Sequence, residues 1–223
     1  MGSPAADPMD PGQDKKPVLE RFLVLHKPKG FEVTRPKNIS ESPKSKTVYS
    51  LIPKELHAQG WVPVGRLDKD SSGLLIFVRD GFFVRLLQTP GNIPKVYEVW
   101  VKGRLRTEHL QQVKRGIETP LGLLKAKEIS VLGVAGPNTL VKVILDEGKN
   151  RQIRRMFALL KDEHLNRHFK VLDLHRVGIG PVPLEGEPGQ WRFLNEIESD
   201  SLLSCLPRKV KTAQAPKRVG KHA

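Results

Sequence analysis

Cysteine is nearly missing from this chain: there is one in 223 residues, Cys205. A lone thiol excludes an internal disulfide and a cysteine-based zinc cluster. Within "LLSCLP" it reads as a small buried apolar residue. Long apolar runs are missing too. No stretch reaches the roughly 20 residues that span a bilayer, and no signal peptide is visible. Organelle transit peptides are poor in acid, and Asp7, Asp10 and Asp14 argue against one. The expected compartment is the cytoplasm, with no membrane partner. Acidic side chains are the third scarcity: Asp+Glu number 24 against 38 Lys+Arg, a net charge of +14. That excess favours a polyanionic partner, nucleic acid before membrane. Charge alone also fits a merely soluble basic protein.

What the chain does have is enough apolar material, 38% of residues, for a real core in one to two domains. Residues 1–19 are rich in Pro, Gly and Asp and read as a disordered tail. From Pro207 to the end the chain carries Lys, Arg and His and no acid, a solvated basic tail able to touch phosphate. The catalytic or binding body is expected over 20–206. Alternation predicts strands over 21–27, 95–103 and 140–148, and a short apolar run predicts a buried strand over 73–80. On 95–103, Tyr97, Val99 and Val101 share one face. Helical spacing predicts helices over 82–88, 107–117 with Thr107 as N-cap, 150–161, and a capped final helix from Asn195. Strands and helices interleave without β-α-β regularity, so the expected class is α+β with a largely antiparallel sheet.

The chemistry concentrates in three stretches. "VGRLDKDSSGLLIFVRDG", residues 64–81, sets a carboxylate between an arginine and a Ser-Gly turn. In a strand Arg66 and Asp68 would project together, and the turn-forming residues after them would leave Asp68 at a strand end, held yet exposed. A turn or capping aspartate would look the same, and Asp70 receives no role. "EGKNRQIRRMFALL" opens a helix with Arg151, Arg154 and Arg155, while Ile153, Met156, Phe157 and Leu160 form its apolar face. Arg154 lies at the edge of that face, where an arginine tends to hold a carboxylate or phosphate. Tyr97 is either a core aromatic or a platform for an unstacked base. His164 and His168 sit four apart, but no third ligand accompanies them, so no metal site is assigned.

Taken in order, the pieces resemble the RsuA-type pseudouridine synthases, most closely their short RluE-like branch. The matching segments are "LHKPKGFEVT", "TVYSLIP", "GRLDKDSSGLL", "KVYEVWVKG", "LDEGKNRQIRRMF" and "LDLHRVGIGPVPL…GQWRFL". They cover roughly residues 21 to 194, and the ordered set is far more specific than any one piece. The resemblance implies the pseudouridine synthase fold, a mixed, largely antiparallel central sheet with flanking helices and a cleft. It implies Asp68 as the catalytic aspartate, Tyr97 as the base-stacking tyrosine and Arg154 as the basic partner of that aspartate. Arg66, Leu174 and Arg176 fall in the same motifs as substrate-binding residues. Two departures stand out: "IFVRDG" follows Gly-Leu-Leu, and "ALLKDEHLNRHFKVL" has no glycine to end its helix, so that connection should be longer or differently capped. About 20 residues before the first motif leave no room for the small RNA-binding domain many relatives carry, hence the short branch.

The reaction so implied breaks the uracil–sugar bond, turns the base and rejoins it through carbon. No atom is gained or lost, so no redox cofactor and no metal is required. It needs a carboxylate acting on the ribose, as nucleophile or as base. It needs an aromatic face for an extruded uridine, worth about 1–3 kcal/mol of stacking. The expected substrate is a specific uridine in large-subunit ribosomal RNA, the expected partner RNA, and the expected state a monomer. Alternatives are an idle RNA-binding or ribosome-assembly factor on the same scaffold, or the same enzyme class acting on small-subunit ribosomal RNA or transfer RNA.

Overall fold

The computed structural model describes residues 20–35, 46–120, 122–162 and 166–207. The two expected tails, apart from Pro207, lie outside the described residues. The strands are β1 (Leu23–Lys27), β2 (Val62–Pro63), β3 (Ser72–Val78), β4 (Lys95–Lys102), β5 (Glu128–Ala135), β6 (Asn138–Leu145), β7 (Lys161–Asp162), β8 (Arg167–His168), β9 (Lys170–Ile179), β10 (Val182–Pro183) and β11 (Trp191–Phe193). The helices are α1 (Lys54–Ala58), α2 (Gly81–Gln88), α3 (Thr107–Arg115), α4 (Gln152–Leu159) and α5 (Glu196–Ser204).

One sheet runs β11-β1-β3-β9-β4-β6-β5, with β2 added to β3 and β10 to β9. Every pairing in it is antiparallel except β3 with β9. The α+β class is therefore as the sequence predicts. Alternation divides the side chains between two cores. Leu23, Leu25, Leu75, Tyr97, Val99, Val101 and Leu174 face one layer, where Ile153, Met156 and Phe157 of α4 cover them. Phe22, Val24, Leu74 and Ile76 face the other, under Phe83 and Leu87 of α2 and Leu202 of α5. Each such fully buried side chain contributes about 1.5–3 kcal/mol. No helix among the described residues is long and apolar enough to cross a membrane.

Gly73 explains the glycine of the GRLDKDSSG stretch. It has φ +114°, and a Cβ there would collide with the backbone of Arg176 on β9. Only glycine lets the one parallel pair close at that point.

Four local expectations change. Arg66 and Asp68 are not on a strand. β2 ends at Pro63, Gly65 turns the chain at φ +72°, and the segment to Ser71 is an irregular loop closed by Ser71 N–H donating to the Asp68 carbonyl at 3.0 Å. Cys205 is exposed, because Ser199, Leu202 and Leu206 take the inward positions at its end of the chain and turn it to solvent. Thr107 begins α3 rather than capping it; the Arg106 N–H donates to His109 Nδ1 at 3.0 Å, so the cap comes from the first turn itself. α4 starts at Gln152, after Arg151 in the left-handed region at φ 49°. Its glycine-free exit is capped by Leu160 in the extended region, whose N–H donates to the Met156 carbonyl at 3.2 Å, and β7 beyond it pairs antiparallel with β8. His168 is on β8, while His164 lies outside the described residues.

Candidate active site

The loop from Val64 to Ser71 is fixed from beneath by a buried charge. Lys27 ends β1 in the inward register of Leu23 and Leu25 and is fully buried. Its ammonium donates to the carbonyls of Pro28, Asp68 and Ser71 at 3.1, 3.0 and 2.6 Å. Three carbonyls use its three N–H donors, the condition under which a buried ammonium is tolerable. Burial still pushes it down to about 8, against the upward pull of Asp70 and Asp68. The backbone of Asp68 is thus bound to the sheet while its carboxylate stays half-buried at the surface.

Two arginines meet that carboxylate. Arg151 Nη1 lies 3.0 Å from Asp68 Oδ2 and 3.6 Å from Asp70 Oδ1. Arg154 Nε lies 3.8 Å from the same Asp68 oxygen, too long for a hydrogen bond, and that nitrogen is buried without a partner. The rest of the Arg154 guanidinium braces the loop. Nη2 pairs with Asp70 at 3.0 Å and donates to Ser71 Oγ at 3.2 Å and the Asp70 carbonyl at 3.3 Å, while Nη1 donates to the Val171 carbonyl at 3.4 Å. The nearer ion-pair partner of Asp68 is therefore Arg151. Arg154 chiefly holds Asp70 and the loop.

Gln152 fixes the turn that presents Arg151. It is buried, accepts the Lys149 N–H at 3.1 Å, and donates to Glu147 at 2.8 Å and the Lys125 carbonyl at 3.1 Å. The left-handed Arg151 beside it carries backbone strain of about 1–2 kcal/mol, supported by this clamp.

Asp68 opens into a cleft of about 80 Å³ walled by Tyr97, Leu174, Ile153, Arg66 and Arg151. A second cleft of about 150 Å³ shares Arg66 and Tyr97 and reaches Arg176. All six residues singled out by sequence therefore line this pair of clefts or, for Arg154, brace its rim. Arg66 is exposed, while Tyr97, Leu174 and Arg176 are buried at 8, 7 and 4% exposure. Arg176 donates from Nε to the Leu74 carbonyl at 2.6 Å and lies 6.0 Å from the Tyr97 ring centre. Its Nη2 is buried without an acceptor. A larger cavity, about 490 Å³, lies elsewhere, along β1 and β11 beside His26 and Trp191, and none of these residues lines it. Chemistry, not volume, marks the site.

The profile of the RNA pseudouridylate synthase family matches residues 21–159. The chain belongs to that family. It is an isomerase that forms pseudouridine in RNA. Among the relatives of this synthase, an RNA pseudouridine synthase of Aquifex aeolicus is 34% identical over 206 residues, 89% of this chain and 78% of that protein. Ribosomal large subunit pseudouridine synthase B of Buchnera aphidicola is 33% identical, over 88% of this chain and 78% of its own. Ribosomal small subunit pseudouridine synthase A of Vibrio cholerae is 32% identical, over 82% and 74%. These similarities support the RsuA-type family as a whole rather than its short RluE-like branch in particular. A solved pseudouridylate synthase superposes with a TM-score of 0.65 at 26% identity, covering 82% of this chain and 73% of that one.

Reading by residue type missed Lys27, Gln152 and the pairing of Arg151 with Asp68. Lys27 had a signal, since alternation puts it in the inward register of Leu23 and Leu25. The other two had none.

Proposed function

We propose that this synthase isomerises one uridine in large-subunit ribosomal RNA, acting in the cytoplasm as a monomer, with residues 20–206 as its catalytic domain and Asp68 as the group that attacks or deprotonates the ribose. The observation that carries the site is the Asp68 carboxylate, tied at its backbone, half-open to a cleft and facing two guanidinium groups at 3.0 and 3.8 Å. A cleft between an aspartate and an aromatic ring suits an extruded uridine. In this reading Tyr97 supplies the ring, Leu174 the apolar wall, and Arg66 and Arg151 the phosphate contacts at the mouth. Arg176 lines the second cleft, and its buried Nη2 has no acceptor; a buried donor without a partner costs about 1–3 kcal/mol, which a substrate acceptor would relieve. Several relatives are named as large-subunit enzymes, which supports that substrate; the Vibrio relative is named for the small subunit.

The test is a comparison of pseudouridine maps of ribosomal RNA from cells with and without the gene. Loss of one large-subunit site, restored by the wild-type gene and not by Asp68→Asn, is the expected result. Loss of a small-subunit or transfer RNA site overturns the substrate, and an unchanged map with folded, expressed protein overturns the activity. At the cleft, Tyr97→Phe should keep most of the single-turnover rate and Tyr97→Leu should lose it at similar melting temperature.

A further inference from the structure

One corner of the sheet is charged in a way the fold itself does not use. Lys102 at the end of β4 lies directly opposite Lys170 at the start of β9. Like charges in that cross-strand position destabilise a sheet. Arg104 lies two residues beyond the end of β4, and Arg167 precedes Lys170 on β8. Of these four, Lys102, Arg167 and Lys170 are exposed, Arg104 is exposed as well, and among the described residues none has a carboxylate within ion-pair distance. Two acids stand close by: Asp173, directly opposite Trp100, pairs with Lys29 at 2.8 Å, and Asp162, directly opposite Arg167, is buried, while Glu108 pairs with Arg106 at 3.8 Å. Beside Lys102 on the same face stands Trp100, half-buried and part of neither apolar core. An aromatic outside the cores among unpaired cations suits an unpaired base on a phosphate-binding surface.

The corner adjoins the active-site rim at the end of the sheet, although Trp100 and Lys102 project from the face of β4 opposite Tyr97, Val99 and Val101. Arg154 bridges from Asp70 to the Val171 carbonyl, and Val171 is the neighbour of Lys170. Lys102 is five residues from Tyr97 along β4, about 17 Å at roughly 3.4 Å per residue. An RNA strand leaving the cleft over Asp70 reaches these cations by passing round the end of the sheet where β4 stops and β9 starts.

We propose that this corner binds the RNA strand flanking the target uridine, with phosphates on Lys102, Lys170, Arg104 and Arg167 and an unpaired base on Trp100. The proposal rests on the RNA-modifying activity and names where the substrate extends beyond the cleft. A structural role for the corner and an RNA-binding role predict opposite effects of one substitution. Lys102→Glu converts the repulsive pair with Lys170 into an attractive one, so melting temperature should hold or rise. RNA affinity should fall by about ten-fold, and the salt dependence of binding should flatten by about 0.7–0.9 for each phosphate no longer neutralised. Lys54→Glu makes the same charge change at an exposed residue that starts α1, and should change affinity less than about two-fold.

The measurement uses the full chain and a labelled ribosomal RNA stem-loop with unpaired nucleotides flanking its uridine, titrated at several salt concentrations, with melting temperature recorded for each variant. Trp100→Leu should weaken the same RNA by about five-fold. Equal losses for Lys102→Glu and Lys54→Glu would reduce the effect to net charge and overturn the proposal, as would unchanged affinity in Lys102→Glu. Product formation by the wild-type chain on any ribosomal RNA is scored separately, so failure of the proposed function is told apart from failure of the corner.

Discussion

The loop that carries Asp68 and the turn that carries Arg151 meet across 3.0 Å, yet they are built from different materials. Beneath the Asp68 loop lies a fully buried ammonium donating to three carbonyls, and Arg154, only 13% exposed at its side chain, grips the same loop from above. The Arg151 turn is held by one buried glutamine, its backbone is left-handed, and its side chain is 43% exposed. The acid is fixed to the sheet, and its nearest countercharge stands free in solvent. On the function proposed above, Asp68 as the reacting carboxylate has to keep its place, whereas Arg151 as a phosphate-binding group has to exchange one anion for another. Substitutions on the two sides should accordingly fail in different ways.

The largest effect expected is that of Asp68→Asn. It keeps size and removes the charge of a half-exposed group, so melting temperature should change little while turnover falls by at least about 10³-fold. Label released from carbon 5 of uridine reports the rate. A folded variant with substantial turnover would remove Asp68 from the chemistry and leave the loop a purely structural object.

Arg154 comes next, because it touches both the acid and the loop. Arg154→Met removes the bonds to Asp70, Ser71 and Val171 together and should lower both turnover, by about 10²-fold, and stability. Truncating a partly buried charge partner costs about 3–5 kcal/mol at the upper end. Arg154→Lys keeps the charge but loses the fork, so it should recover part of the rate. Identical rates in the two variants would mean that the planar geometry contributes nothing.

Lys27 tests the foundation of the Asp68 loop at a distance from the substrate. Lys27→Met strands three carbonyls, each costing about 1–3 kcal/mol when left without a donor. Melting temperature should fall sharply, and the surviving folded fraction should turn over about ten-fold more slowly because Asp68 is no longer fixed. The wild type offers a milder version through pH. The folded-state value, near 8, is below the ordinary 10.5, so the folded state binds fewer protons than the unfolded chain between those values. The cost of burying the charge is present in full below pH 8 and is relieved as pH rises from there towards 10.5. Stability measured against pH should therefore gain from this group over that window, with the gain absent in Lys27→Met. A neutral amine has only two N–H donors for three carbonyls, so the rate need not follow.

Much of this arrangement was legible in the sequence, and the illegible parts have separate physical causes. Strands β1, β3, β4 and β6 follow alternation or apolar runs long enough to read, and α2, α3 and α4 follow helical spacing. β2, β7, β8 and β10 have two residues each and β11 three, too short for any period to show. β5 was not anticipated, because most of "EISVLGVA" is exposed and its alternation breaks after Val131, where the pairing with β6 shifts register. Asp68, Tyr97, Leu174 and Arg176 could be placed because motif order resembles a known family, and all line the paired clefts. The partner of Asp68 could not be placed. Choosing Arg151 over Arg154 depends on a left-handed backbone at an arginine, a conformation that residue type does not signal.

That left-handed residue supplies the smallest and most discriminating effect. Arg151→Gly removes the exposed ion pair to Asp68 and at the same time relieves the strain at φ 49°. The strain is worth about 1–2 kcal/mol, and an ion pair this exposed about 0–1 kcal/mol. Stability should therefore stay level or rise slightly, by a few degrees at most in melting temperature, while kcat/KM falls several-fold through weaker RNA binding. Arg154→Met and Lys27→Met should lose stability along with activity, since on the Asp68 side those side chains also hold the loop through bonds to its backbone. Arg151→Lys separates the two contributions: it retains charge and strain together, so it should match the wild type in melting temperature and lie between the two in kcat/KM. A drop of more than about five degrees in Arg151→Gly would show that the turn depends on the guanidinium after all, and that both sides of the site are held in the same way.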